Sequence, residues 1–158
     1  MFRAQRRKKN ETDITTAKLL LKNERRGVLS VIGDNGYPYA VPLNYIYDEE
    51  ENRIYFHGSK VGHKIDAIRK CDKVCFTVFG DEEKGEPEWA PYMKSTIVFG
   101  RCHLVESKER TLKLVKKLAL KYYPDEAEVD SVILEEGHGV QMFEIEIEHM
   151  SGKRVQER

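Results

Sequence analysis

Residues 54–67, IYFHGSKVGHKIDA, leave few ways to arrange the backbone. The β-branched and aromatic run Ile54-Tyr55-Phe56 reads as a strand. Gly58 and Gly62 permit positive φ or close approach of another group. A helix then begins, with unpaired N–H groups and the positive end of its dipole. Around that turn stand Ser59, Lys60, His63 and Lys64: a hydroxyl, two ammonium groups and an imidazole. Oriented amides with cations beside them suit a phosphate or carboxylate. The spacing is not that of a Walker A loop, because His63 separates Gly62 from Lys64. The plainer reading of the same residues is a solvated helix start with ordinary surface lysines.

The rest of the chain reads as strands joined by hairpins and covered by helices. Thr12 or Asp13 can cap a helix from Ile14 to about Arg26, with Ile14, Ala17, Leu20 and Leu21 on one face. Val28–Ile32 is a first strand, and Gly33-Asp34-Asn35-Gly36 a strong hairpin signal. Residues 37–47 form a second strand containing Pro38 and Pro42, which remove two ladder donors. That strand is therefore an edge, is bulged, or leaves backbone free for a ligand. Arg53–His57 is the third strand, and a short helix over 62–70 follows. Strands over 73–79 and 95–105 flank a loop over 80–94 that holds Pro87, Trp89, Pro91 and Tyr92. Ser107 caps a helix to about Tyr122, and a shorter helix covers about Glu126–Glu135. In the last strand, 140–148, Met142 or Phe143, then Ile145 and Ile147, alternate with glutamates. Six strands, mainly antiparallel, with capping helices fit a small barrel.

The chain has 158 residues, enough for one domain with its own core. Its 27 basic and 27 acidic residues cancel, so no global field favours nucleic acid or a membrane. Residues 1–10 are a basic N-terminal tail with Arg3, Arg6, Arg7, Lys8 and Lys9; residues 11–158 form the domain. Such a run can bind nucleic acid but more often is solvated, and then contributes no core. No apolar stretch suggests a secretory signal or a membrane span. Cys71, Cys75 and Cys102 form no C-x-x-C pair, which fits reduced, mostly buried thiols of a cytoplasmic protein. The five histidines show no metal-ligand spacing. His57 ends a strand just before Gly58, where it either faces a ligand or caps the sheet. Trp89 and Tyr92 can form an aromatic lid, and Trp89 can equally plug the barrel.

In combination, GVLSVIGDNGYPYAVPLNYIYD, IYFHGSKVGHKIDAIRKCDKVCFTVFG and YMKSTIVFGR resemble the FMN-binding split barrels of the pyridoxamine 5′-phosphate oxidase superfamily, nitroimidazole-resistance-like branch. The resemblance runs from about Arg6 to the last strand. It implies a six-stranded antiparallel split barrel that is a homodimer with FMN at the interface. By similarity, His57, Gly58, Ser59, His63 and Lys64 surround the phosphate and ribityl chain. Val41, Pro42, Leu43 and Asn44 present backbone to the flavin ring. Lys94, Ser95 and Thr96 line the site, and Trp89 and Tyr92 close over the ring. The implied activity is reduction of a small acceptor, such as a nitroaromatic, by NAD(P)H, with His57 nearest the reacting ring. A non-catalytic flavin or haem binding protein and a deazaflavin enzyme are the alternatives on this fold. Gly152-Lys153-Arg154 poorly replaces the arginine-rich substrate segment of true pyridoxamine-phosphate oxidases.

Overall fold

The computed structural model describes residues 1–83 and 90–156. Eight strands lie among them, joined only by antiparallel pairings: β1 (Glu11–Thr12), β2 (Arg26–Ile32), β3 (Pro38–Asn44), β4 (Ile46–Asp48), β5 (Arg53–Gly58), β6 (Lys73–Glu83), β7 (Tyr92–Leu104) and β8 (Gln141–Gln156). Four α-helices accompany them: α1 (Ile14–Asn23), α2 (His63–Lys70), α3 (Lys108–Tyr122) and α4 (Glu126–Glu136). The sheet order is β3-β2-β6-β7-β8-β5-β4, with β1 added to β8.

The count exceeds the expected six for two reasons. The second strand divides at Tyr45, whose ring is fully buried and whose hydroxyl donates to the Leu21 carbonyl at 2.6 Å. The chain thus turns inward between β3 and β4. In addition, Glu11 and Thr12 pair with Lys153 and Gly152. Gly152 is what allows this contact, since a Cβ there would stand 2.1 Å from Thr12 Oγ1.

The hairpin forms where expected. Asn35 and Gly36 take φ of 56° and 76°, and Gly33 N–H donates to the Tyr37 carbonyl at 2.7 Å. β3 is the sheet edge. Pro38 and Pro42 lie four residues apart and so turn their nitrogens to the same side, which costs no ladder bond on an edge. Asp13, not Thr12, caps α1 by accepting from Thr16 N–H at 2.8 Å. That helix stops three residues short of Arg26, because Glu24 is already extended and Arg26 opens β2.

The main core joins Leu29, Val31, Ile54, Phe56, Phe76, Val98, Phe143 and Ile145 inside the barrel. Strand alternation sends Tyr55 and Met142 to the other face, where they pack with Val105, Leu114 and Leu118 beneath α3. Met142 and Phe143 are therefore both buried, one on each face. Of the cysteines only Cys102 is buried; Cys71 and Cys75 are half-buried.

The N-terminal tail is not free of the barrel. Phe2 stacks on His149 and Phe99 with ring centroids 4.7 and 5.7 Å away. Gln5 donates to the Gly152 carbonyl at 2.9 Å. Two apolar rings and a backbone carbonyl outweigh the charge pattern that suggested a solvated run. Among the described residues, no helix is long and apolar enough to cross a membrane.

Candidate functional site

The turn between β5 and α2 keeps its helix end open. Gly62 at the N-cap takes φ of 123°, a conformation that L side chains rarely adopt, and offers no capping side chain. The first intrahelical bond runs from Asp66 N–H to the Gly62 carbonyl at 3.1 Å. The N–H groups of the first turn therefore point out of the helix. Ser59 shapes the loop by accepting from Val61 N–H at 3.3 Å.

Lys64 folds back from this helix over the mouth of the barrel. Its ammonium lies 5.3 Å from the centre of the Phe56 ring and 5.6 Å from that of Phe143. The side chain is half-buried, and among the described residues no carboxylate forms an ion pair with it. Burial holds its pKa below the ordinary lysine value. Gly58 makes the space, since a Cβ there would stand 2.8 Å from the Lys64 Nζ. A desolvated cation over ring π-clouds is suited to take an anion.

His63 takes a different direction. Its ring stacks on Tyr39 at 4.1 Å, and its Nε2 accepts from Asp34 N–H at 3.2 Å. The imidazole ties α2 to the β2–β3 hairpin. It also draws edge strand β3 toward the turn. There Val41, Leu43 and Asn44 are half-buried and Pro42 is exposed. Leu43 packs against the main core.

His57 pairs with Met142 in the β5–β8 ladder and shares the face of Tyr55, opposite to Phe56. It keeps exposed surface, yet partial desolvation, assisted by the nearby Lys64, lowers its pKa below 6.5. The imidazole is thus neutral at pH 7, beside the Lys64 cation rather than stacked under it.

Lys94, Ser95 and Thr96 lie elsewhere. They pair with Arg154, Lys153 and Gly152, whereas Gly58 pairs with Gln141. Twelve residues of β8 separate Gln141 from Lys153, roughly 40 Å of strand at ~3.3 Å each. Thr96 is fully buried and donates to the Ala17 carbonyl at 2.9 Å, so its hydroxyl is committed to holding α1 on β7. Ser95 lines an open cleft with Ser151 and Lys153. Lys94 borders a smaller one beside Leu20 and Glu24. The Tyr92 ring lies 3.9 Å under the Arg154 guanidinium. Trp89 falls outside the described residues.

One chain therefore gathers the residues from His57 to Lys64 with β3, and keeps Tyr92–Thr96 apart from them. Sequence reasoning missed the ring platform of Phe56 and Phe143, and the Asp34–Tyr39 clasp on His63. The first had a signal in the inward alternation of both strands. The second joins residues 29 apart in sequence and had none. Among the described residues no group of three or more His, Cys, Asp or Glu side chains is placed to hold a metal ion.

The fold recurs in solved structures. A candidate 5-nitroimidazole antibiotic resistance protein from Bacteroides thetaiotaomicron superposes with a TM-score of 0.76 at 18% identity, over 91% of this chain and 85% of that one. The flavocytochrome Anf3 from Azotobacter vinelandii gives 0.79 at 19% identity, over 96% and 72%. An FAD-binding protein from Mesorhizobium loti gives 0.64 at 22% identity, over 92% and 96%. These likenesses establish the split-barrel architecture. No curated protein matches the chain. The family model described as pyridoxamine 5′-phosphate oxidase matches residues 13–154, nearly the whole length, and the chain belongs to that family.

Proposed function

We propose that this protein binds a flavin, FMN in the first instance, and uses it to pass electrons from NAD(P)H to a small acceptor such as a nitroaromatic. The observation that carries the reading is Lys64. Its ammonium is half-buried, has no carboxylate partner among the described residues, and stands beside an uncapped helix start. A flavin phosphate there would restore the charge balance that burial has disturbed. The described residues fit the group, with Gly58 leaving the gap and β3 offering edge backbone. The flavin supplies the redox chemistry when bound. The chain's own part is to hold the phosphate through Lys64 and the α2 amides, keep β3 against the ring, and present the neutral His57 imidazole nearby.

The working form in this reading is a homodimer. On the sheet's outer face, Ile32, Phe79, Ile97 and Phe99 are exposed from β2, β6 and β7. Exposed apolar patches of this kind commonly mark interfaces. A second copy would cover them and would supply Tyr92–Thr96, which one chain keeps away from its own Lys64. The flavocytochrome and the FAD-binding protein of the same fold support a second reading, a binding protein without turnover.

The purified protein's absorption spectrum decides between a flavin and a haem. Steady-state oxidation of NADPH with a nitro compound then decides between enzyme and carrier. A colourless protein whose Tm ignores excess FMN would end the flavin reading, because a ligand that binds only the native state must raise Tm.

A further inference from the structure

A cavity of about 320 Å³ opens beside the β5–α2 turn, bordered by Lys60, the end of β7, the start of α3 and the start of β8. It lies over the part of the sheet that α3 covers, and none of Ile32, Phe79, Ile97 and Phe99 borders it. Val105 and Val140 give it an apolar floor, continuous with the cluster of Tyr55, Leu114, Leu118 and Met142. Lys64 is close, although it faces the other side of the strand pair. Its ammonium rests against Gly58, and Gly58 is the ladder partner of Gln141, which borders the cavity. Paired Cα atoms of an antiparallel ladder stand about 5 Å apart. The cavity and the Lys64 cation are thus neighbours across one strand end.

Three polar groups border it with bonding capacity left. Thr111 is buried, and its hydroxyl makes no hydrogen bond among the described residues. No sealed side-chain nitrogen or oxygen among those residues lacks a partner, so this oxygen opens into the cavity. The Gln141 amide nitrogen donates to the Val105 carbonyl at 3.1 Å and to the Met142 carbonyl at 2.8 Å. Those bonds fix the side chain and leave its amide oxygen as an acceptor. Lys108 opens α3 with no ion pair among the described residues, at the end of the helix where a cation is disfavoured. An anion beside it would offset both the charge and the dipole.

We propose that this cavity takes the adenosine end of a dinucleotide flavin, so that the bound cofactor is FAD, with its first phosphate on Lys64 and its second between Lys60 and Lys108. The proposal rests on the flavin reading above and deepens it. The pyrophosphate passes the strand end at Gly58, where the missing side chain leaves room. The Thr111 hydroxyl bonds the ribose, the Gln141 oxygen accepts from the adenine amino group, and Val105 and Val140 lie against the base. Glu106, the one carboxylate among the described lining residues, suits a free ribose hydroxyl and repels a 2′-phosphate. The volume is near the lower end for small-molecule sites, as suits half of a cofactor.

Equilibrium titration of the full-length protein, freed of flavin, with FAD and with FMN tests it. FAD should bind about tenfold tighter than FMN or better. ADP should displace FAD, and 2′,5′-ADP should do so less well. Thr111→Val and Lys108→Gln should each weaken FAD about three- to tenfold, the worth of one hydrogen bond, and leave FMN unchanged. Unchanged FMN affinity also reports that each variant keeps its fold. Lys64→Ala should weaken both flavins. FMN bound as tightly as FAD, losses shared equally by the two flavins, or better competition from 2′,5′-ADP would overturn the proposal and leave the flavin reading standing. Binding of neither flavin would end both.

Discussion

The Cβ that Gly58 lacks would stand 2.8 Å from the ammonium of Lys64. A lysine folded against a glycine, over two phenylalanine rings, ties the strand end to the helix start at one atom. Lys64→Ala should weaken FMN by about 1.5–3 kcal/mol, the usual range for a hydrogen bond to a charged group. Riboflavin, without the phosphate, should bind both forms alike. Gly58→Ala should act in the same direction by displacing Nζ, with little change in secondary structure. Titrations in which FMN and riboflavin lose equally would move the phosphate away from Lys64.

Thr96 is open to a separate check. If its role is the bond to the Ala17 carbonyl, Thr96→Val keeps the shape and removes that bond, leaving the carbonyl its helical partner four residues on. Stability should fall by about 0.5–1.5 kcal/mol in chemical denaturation. FMN affinity of the folded fraction should stay the same. A flavin defect without a stability defect would instead make Thr96 part of the cofactor site.

Much of this architecture could be read from residue order, and the exceptions have physical causes. Asn35-Gly36 announces its hairpin because the turn needs positive φ, a local demand. Sequence alone carries α1 on to about Arg26, because Glu24, Arg25 and Arg26 are acceptable in a helix; the β2 pairing of Arg26 with Asn44 decides against it. The last strand reaches Gln156 rather than Glu148, since its polar final turn of sequence finds partners on both β7 and β1. At the site, Gly58 and Lys64 were legible as neighbours in a short loop. The capture of His63 by Asp34 was not, because a long-range contact leaves no mark in spacing.

The tail yields a prediction opposite to that of a free, charged run. Deleting residues 1–9 removes Phe2 from Phe99 and His149 and the Gln5 bond to Gly152. The loss should be about 1–2 kcal/mol, from partial burial of one aromatic ring and one hydrogen bond. Equal denaturation midpoints with and without these residues would return the tail to the solvated state.

Lys121 gives a pH signature. Burial lowers its pKa to about 8, while it donates to the Glu24 carbonyl at 2.6 Å over the Tyr45 ring. In the unfolded chain it titrates near 10.4. Between those values the unfolded state binds more protons through this group, so the Lys121 contribution to stability rises with pH from about 8 toward 10, while Cys102 and Tyr45, whose pKa values burial raises, contribute with the opposite sign. Lys64 is shifted in the same direction and adds to the slope. In urea titrations between pH 8 and 9.5, the stability of the wild type relative to Lys121→Met should therefore rise with pH. An unaltered slope would assign the effect elsewhere.

His57 is the remaining test of chemistry at the site. Its pKa is lowered first by desolvation and then by Lys64, so it is neutral at pH 7 and charges only below its ordinary value of 6.5. A neutral imidazole can donate a hydrogen bond from one nitrogen and accept a proton at the other. If it serves the reacting acceptor, the rate should fall as pH drops below about 6.5. His57→Ala should then leave FMN bound, slow acceptor reduction by ~10²-fold or more, and remove that acid limb. Strand alternation supplies the opposing expectation, because His57 faces away from Phe56 and toward the α3 side. Full activity with the limb intact would assign His57 to the strand end alone, and the proton would then come from solvent or from another chain.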